Sequence, residues 1–176
     1  CEGVQEVFRA LSESIDSMMK PDGMEIYYRE GAGFKPINPE QTLLRTPETE
    51  LDEKTSLTVR MLVSKRAPLL LGNLRTELND EDLQNFTGLL QNTSAIFIPL
   101  AVKSEVVAII LLAFESSVYD LDIIVHNILM GITNLASITL EKIRSIDEQA
   151  LMKNALDRYE RLTAMGRIIA GVAHEI

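Results

Sequence analysis

The run Ser94-Ala95-Ile96-Phe97-Ile98-Pro99-Leu100 is followed, across a short turn at Lys103-Ser104-Glu105, by Val106-Val107-Ala108-Ile109-Ile110-Leu111-Leu112-Ala113-Phe114. Both runs are rich in β-branched and aromatic residues, and polar turn chemistry separates them, so they read as an antiparallel hairpin. The second run is apolar at every position rather than at alternate ones. Both faces of the sheet that it enters must therefore be covered. It is nine residues long, and a helix needs roughly 20 to cross a bilayer. Pro99 cannot donate to a ladder, so its N–H side is expected at an edge or a bulge.

Upstream, Val4, Val7, Phe8, Leu11, Ile15 and Met18 recur at spacings of three and four, the stripe of a helix over residues 2–19. Lys20-Pro21-Asp22-Gly23 ends it. Met24 to Arg29, a turn at Gly31-Ala32-Gly33, and Phe34 to Asn38 form a second hairpin. Residues 39–53 carry two prolines and an acidic excess and read as a loop. Lys54 to Ser64 has helical spacing and stops before Pro68. Pro68 to Leu74 reads as a short strand. Asn79, with Asp82 three residues on, opens a helix to about Leu90. Helices and an antiparallel sheet in this order make an α+β fold, the sheet covered by helices on both faces.

Composition narrows the function. A net charge of −9 argues against a nucleic-acid-binding module. One cysteine, Cys1, rules out a disulfide framework and multi-cysteine metal sites, and fits a reducing compartment. No phosphate-cradling glycine loop is present, so this segment alone is not expected to hydrolyse ATP. Arg60, on a helix, could meet an anionic ligand, with a solvent-facing role as the default.

Asp120 to about Ile143 reads as a long helix with two apolar stripes. One holds Leu121, Ile124, Ile128, Leu135 and Ile138, the other Val125, Leu129, Ile132, Ala136, Leu140 and Ile143. One side is expected on the sheet and the other on a second copy, in a parallel homodimer that also uses the helix at 2–19. Charge at both Leu129 and Ile132 is expected to weaken that dimer if their stripe is the interface. Between Glu141 and Arg161, ten of 21 residues are charged, five of each sign, with no Gly or Pro. The helix is expected to run on as a coiled coil to the end of the sequence. One heptad frame holds Ala136, Leu140, Ile143 and Ala150. A second holds Leu151, Ala155, Leu162, Met165, Ile169, Val172 and Ile176, one residue out of phase. The junction makes residues 147–154 the expected two-state element, the alternative being an ordinary irregularity in a rigid rod. The organisation expected is a globular domain at 1–143, a coiled-coil helix at 144–161 and a further helix at 162–176, which the resemblances below turn into a sensor domain, a signalling helix and the start of a phosphoacceptor helix.

In the last segment, Met165, Ile169, Val172 and Ile176 form the seam, which puts His174 on the wet side. Gly166, Ala170, Gly171 and Ala173 keep the surface around it low. An imidazole so placed, with Glu175 beside it, suits nucleophilic attack on a large phosphate donor. Met165 to Ile176 resembles the H-box of sensor histidine kinases. The resemblance implies that His174 is the phosphoacceptor and Glu175 its acid/base partner. It further implies that the full-length enzyme is a protein-histidine kinase using ATP and magnesium in a separate catalytic domain, and that the phosphoryl group passes to the receiver domain of a response regulator. Residues 2–143 resemble a GAF domain in element order and in the hairpin at 94–114, although the glycine usual in that turn and at Ala108 is absent; PAS is the nearest rival. In such domains a cysteine can hold a bilin and a histidine a haem, and here only Cys1 and His126 are available. The GAF ligand is unknown. The resemblances imply a cytoplasmic sensory region, with no cofactor, membrane contact or nucleic-acid partner of its own. The alternative is a GAF-like ligand-binding or dimerisation module regulating a non-kinase output, such as a transcription activator.

Overall fold

The computed structural model describes residues 2–37, 51–118 and 123–174. The chain divides into two units, Cys1–Leu140 and Glu141–Ile176.

In the first unit, helix α1 (Glu2–Met19) leads into strands β1 (Gly23–Glu30) and β2 (Gly33–Pro36). Strand β3 (Leu51–Asp52), helix α2 (Leu57–Lys65) and strand β4 (Leu69–Leu71) follow. Helices α3 (Leu74–Glu77) and α4 (Asp80–Asn85) and a 3-10 turn (Thr87–Gln91) precede β5 (Ser94–Val102) and β6 (Glu105–Phe114). Helix α5 spans Ile123–His174. The strands form one antiparallel sheet in the order β3-β2-β1-β6-β5-β4.

The sheet is buried on both sides, as the unbroken apolar run of β6 requires. Alternate residues of β6 feed two cores. Ala108, Ile110, Leu112 and Phe114 face α1 and α5, where Phe8, Leu11, Ile15, Leu129, Ala136 and Leu140 cover them. Val106, Ile109, Leu111 and Ala113 face the opposite way, toward Val59, Leu62, Leu74, Phe86 and Leu89. The centre of the sheet is thus closed to water from both sides, and pairing along β5 and β6 is the longest in the fold.

Pro99 sits where its missing donor does no harm. The pairing of β5 with β4 stops at Phe97, and a register shift follows at Leu100/Ala101. Lys103 turns the β5–β6 hairpin with φ at 57°, the left-handed conformation that glycine adopts most easily.

Three boundaries differ from the sequence reading. Leu51–Asp52, within the expected loop, pairs with Gly33 and Phe34 as β3, because Leu51 is buried. A two-residue strand is too short to show alternation. The remainder of that loop, 38–50, lies outside the described residues. The strand expected over 68–74 ends at Leu71, because Asn73 opens α3: its side chain accepts from Arg75 N at 3.2 Å, and Glu77 accepts from Asn73 N at 2.8 Å. This reciprocal cap outweighs the apolar character of Leu74. The helix expected to reach Leu90 gives way after Asn85 to the 3-10 turn. Asn79 does cap α4, accepting from Asp82 N at 2.7 Å.

Candidate functional site

Three parts of the first unit could carry function: the side of the sheet away from α1 and α5, the recess beside α1, and the outer face of α5. The first is packed with protein. Tyr27, Phe34, Phe86 and Phe97 are all essentially inaccessible, and the rings of Phe86 and Phe97 meet edge to face at 5.3 Å. Truncating Phe97 to alanine is expected to cost about 3–5 kcal/mol, since the surrounding helices cannot fully collapse into the gap. Urea unfolding checks it.

One polar cluster is sealed into that side. Asp82, on α4, is 1% exposed. Its carboxylate accepts from the Ser56 hydroxyl, and from Thr58 N at 3.0 Å and Thr58 Oγ1 at 2.8 Å. Ser56 in turn caps α2 by accepting from Val59 N at 3.1 Å. One carboxylate therefore ties the start of α2 to the start of α4. The Asn79–Asp82 helix start is local and legible in the sequence, whereas this tie is not, because its partners lie 24 to 26 residues away. Asp82→Ala is expected to cost about 3 kcal/mol, from stranding a buried N–H and two hydroxyls. Asp80→Ala, at an exposed neighbouring position, should change stability by less than about 0.5 kcal/mol. Paired denaturation curves distinguish the two.

Arg60 does not wait for an anion. Its guanidinium donates to the carbonyls of Glu53 and Lys54, at 2.9 and 3.5 Å, bracing the turn before α2. Arg29 lies 4.6 Å over the Phe34 ring, donates to Val106 O at 2.8 Å and pairs with Glu53 at 3.3 Å.

The recess beside α1 measures about 510 Å³, and its lining includes Gln5, Arg9 and Ser12, with Phe8 and Ile37. Glu25 is 4% exposed and accepts from the Tyr27 hydroxyl. The sequence did carry a signal for this buried pair, since strict alternation puts Glu25 on the same face of β1 as core Tyr27. Among the described residues, no three His, Cys, Asp or Glu side chains gather to hold a metal ion.

The outer face of α5 separates the two stripes read from sequence. Leu129, Ala136 and Leu140 belong to the domain core, and Ile132 packs against it. Ile128, Leu135 and Ile138 are 46%, 65% and 64% exposed. This corrects the choice of Leu129 and Ile132 as an interface: charge at Leu129 would strike the protein's own core. The frame through Ala136 and Leu140 likewise faces the sheet over this stretch. The surplus stripe is carried by α5 and not by α1, whose Phe8, Leu11 and Ile15 are spent on the sheet. In the second unit, Leu151, Met152, Leu156, Tyr159 and Leu162 are also exposed.

His174 is the last residue of α5 as described. Its side chain, that of His126, and the whole of Cys1 and Glu175 lie outside the described residues.

The described architecture is that of GAF domains. The GAF domain/HD domain protein from Geobacter sulfurreducens matches with a TM-score of 0.65 at 18% identity, over 80% of this chain and 94% of that one. The GAF domain of a two-component sensor histidine kinase from Bacillus halodurans matches with a TM-score of 0.64 at 11% identity, over 81% and 97%. A methyl-accepting chemotaxis protein matches with a TM-score of 0.63 at 17% identity, over 81% and 92%. At such identities the likeness is one of fold. No family model matches the sequence, and no curated protein matches it.

Proposed function

We propose that this chain is the sensing, dimerising and signal-transmitting region of a two-component sensor histidine kinase, in which a GAF-like domain acts through α5 on the phosphoacceptor His174. The observation that carries this reading is the composition of α5. Its Leu129, Ala136 and Leu140 are part of the domain core, and the same helix continues through the segment that resembles an H-box and contains His174. A signal that favours one arrangement of the domain then biases the helix that carries the acceptor, by no more than its differential affinity for the two arrangements.

In the reaction, an imidazole nitrogen of His174 attacks the γ-phosphorus of ATP. A P–N bond forms, the P–O bond to ADP breaks, and Glu175 takes the proton that the ring sheds. A separate catalytic domain holds ATP and magnesium. The phosphoryl group then moves to an aspartate of a receiver domain, so the reaction belongs to the cytoplasm. Among the described residues, no helix is long and apolar enough to cross a membrane.

The test is transfer. Full-length protein labelled from ATP should lose its label to a cognate receiver domain as the receiver gains it. A label that no receiver accepts across the organism's set would contradict the reading.

The Geobacter neighbour, a GAF domain/HD domain protein, favours a second reading. The chain would then be a GAF-like ligand-binding or dimerisation module regulating a non-kinase output, such as a transcription activator. Under that reading His174→Gln leaves output unchanged.

A further inference from the structure

We propose that the trough between α1 and the β1–β2 hairpin binds a free medium-chain carboxylate, with the carboxylate on Arg9 and the apolar chain running toward Tyr28 and Ile37. The site lies in the first unit, and its occupancy does not depend on the kinase reading.

The trough is two recesses that meet. The one of about 510 Å³ sets Arg9 and Ser12 of α1 over Met24 and Ile26 of β1. The other, about 390 Å³, has Val4, Tyr28 and Pro36 in its lining. Gln5, Phe8 and Ile37 line both, so one runs into the other. Each volume falls within the usual range of small-molecule sites, about 300–1,000 Å³. The trough exists because α1 spends Phe8, Leu11 and Ile15 on the core, while beside it Tyr28 stays 42% exposed and Ile37 half-buried. From Val4 to Ser12 the flank of α1 runs about 12 Å at the helical rise, which suits an extended chain.

Polarity changes along that length. Arg9, Gln5 and Ser12 gather toward one end. Toward the other, Val4, Pro36 and Ile37 surround Tyr28, whose ring meets that of Phe8 edge to face at 5.9 Å. An elongated molecule with one polar and one apolar end matches this division.

Charge sets the sign of the polar end. Arg9 is exposed, and among the described residues it enters no ion pair, although Glu6 and Glu13 lie about one turn to either side on its own helix. Glu25, between Met24 and Ile26, turns to the other face of β1 with Tyr27. At the apolar end, Lys35 is already balanced by Glu30 at 2.8 Å. A carboxylate brings the missing charge and the two acceptors that fit a guanidinium fork. A single arginine matches a singly charged carboxylate better than a doubly charged phosphate. Gln5, one helical turn before Arg9, adds an amide donor beside it.

The test is calorimetric titration of the full chain without ATP, so binding is read apart from phosphorylation. The probes are decanoate, decanol and decyltrimethylammonium, each below its micelle-forming concentration. Decanoate should bind most tightly, decanol roughly tenfold more weakly and the ammonium more weakly still. Arg9→Gln should weaken decanoate roughly tenfold and leave decanol unchanged. Tyr28→Ala should weaken decanoate and decanol alike. Thermal transitions close to the parent's would show that both variants keep the fold. Equal binding of the three probes, or Arg9→Gln without effect, would place the apolar chain elsewhere, such as on exposed Leu135 and Ile138 of α5, and overturn the site. Loss on Lys35→Gln in place of Arg9→Gln would overturn the orientation. No binding of decanoate at millimolar concentration overturns the proposal, and so does capture by oleate-containing phosphatidylcholine vesicles without binding of free decanoate.

Discussion

Glutamate at both Leu135 and Ile138 is expected to convert the proposed homodimer, joined through the outer stripe of α5, into folded monomers. Both side chains are largely exposed in the single chain, so the domain core loses nothing. In the pair, each would leave water. Burying such a side chain contributes about 1.5–3 kcal/mol, and a symmetric dimer loses four of them. At the lower figure that is about 6 kcal/mol, or roughly four orders of magnitude in Kd, before any repulsion among the introduced carboxylates. Sedimentation would read the change, and a thermal transition close to that of the parent would show that the fold survived. Leu129→Glu should behave in the opposite way: at 1% exposure it places a charge in the core, so the domain unfolds. A dimer unaffected by the double substitution would mean that the outer stripe of α5 is not the interface.

The second large effect is chemical. In the full-length protein, His174→Gln should abolish acid-labile phosphorylation, because the amide offers no nucleophilic nitrogen to replace the imidazole. Glu175→Gln keeps the acceptor and removes the base. It should slow phosphorylation about 10²–10⁴-fold, the usual contribution of a positioned acid or base. Circular dichroism and sedimentation should match the parent in both variants. Undiminished labelling of the His174→Gln variant would show that another residue is the acceptor.

Much of the fold could be read because its determinants are local or periodic. The unbroken apolar run of β6 demanded cover on both faces, and α1 and α5 supply it on one of them. The single stripe of α1 and the capping residue Asn79 were equally plain. What escaped depends on tertiary partners. The closure of α2 onto α4 by Asp82 joins residues far apart in sequence. Leu51–Asp52 is a strand because Gly33 and Phe34 lie alongside it. The two stripes of α5 were visible, but periodicity alone does not say which one the sheet takes. In the structure, Leu129, Ala136 and Leu140 go to the core, and Ile128, Leu135 and Ile138 stay exposed. The proposed phosphoacceptor was legible only as a short motif, His174-Glu175, in its sequence setting.

The most direct measurement is to map the phosphoryl group. Full-length protein is incubated with ATP and magnesium, digested at neutral to alkaline pH, and the modified peptide sequenced by mass spectrometry. One acid-labile phosphate is expected, on the imidazole of His174. Phosphate on a different residue, or no phosphorylated peptide from protein that binds ATP, would contradict it.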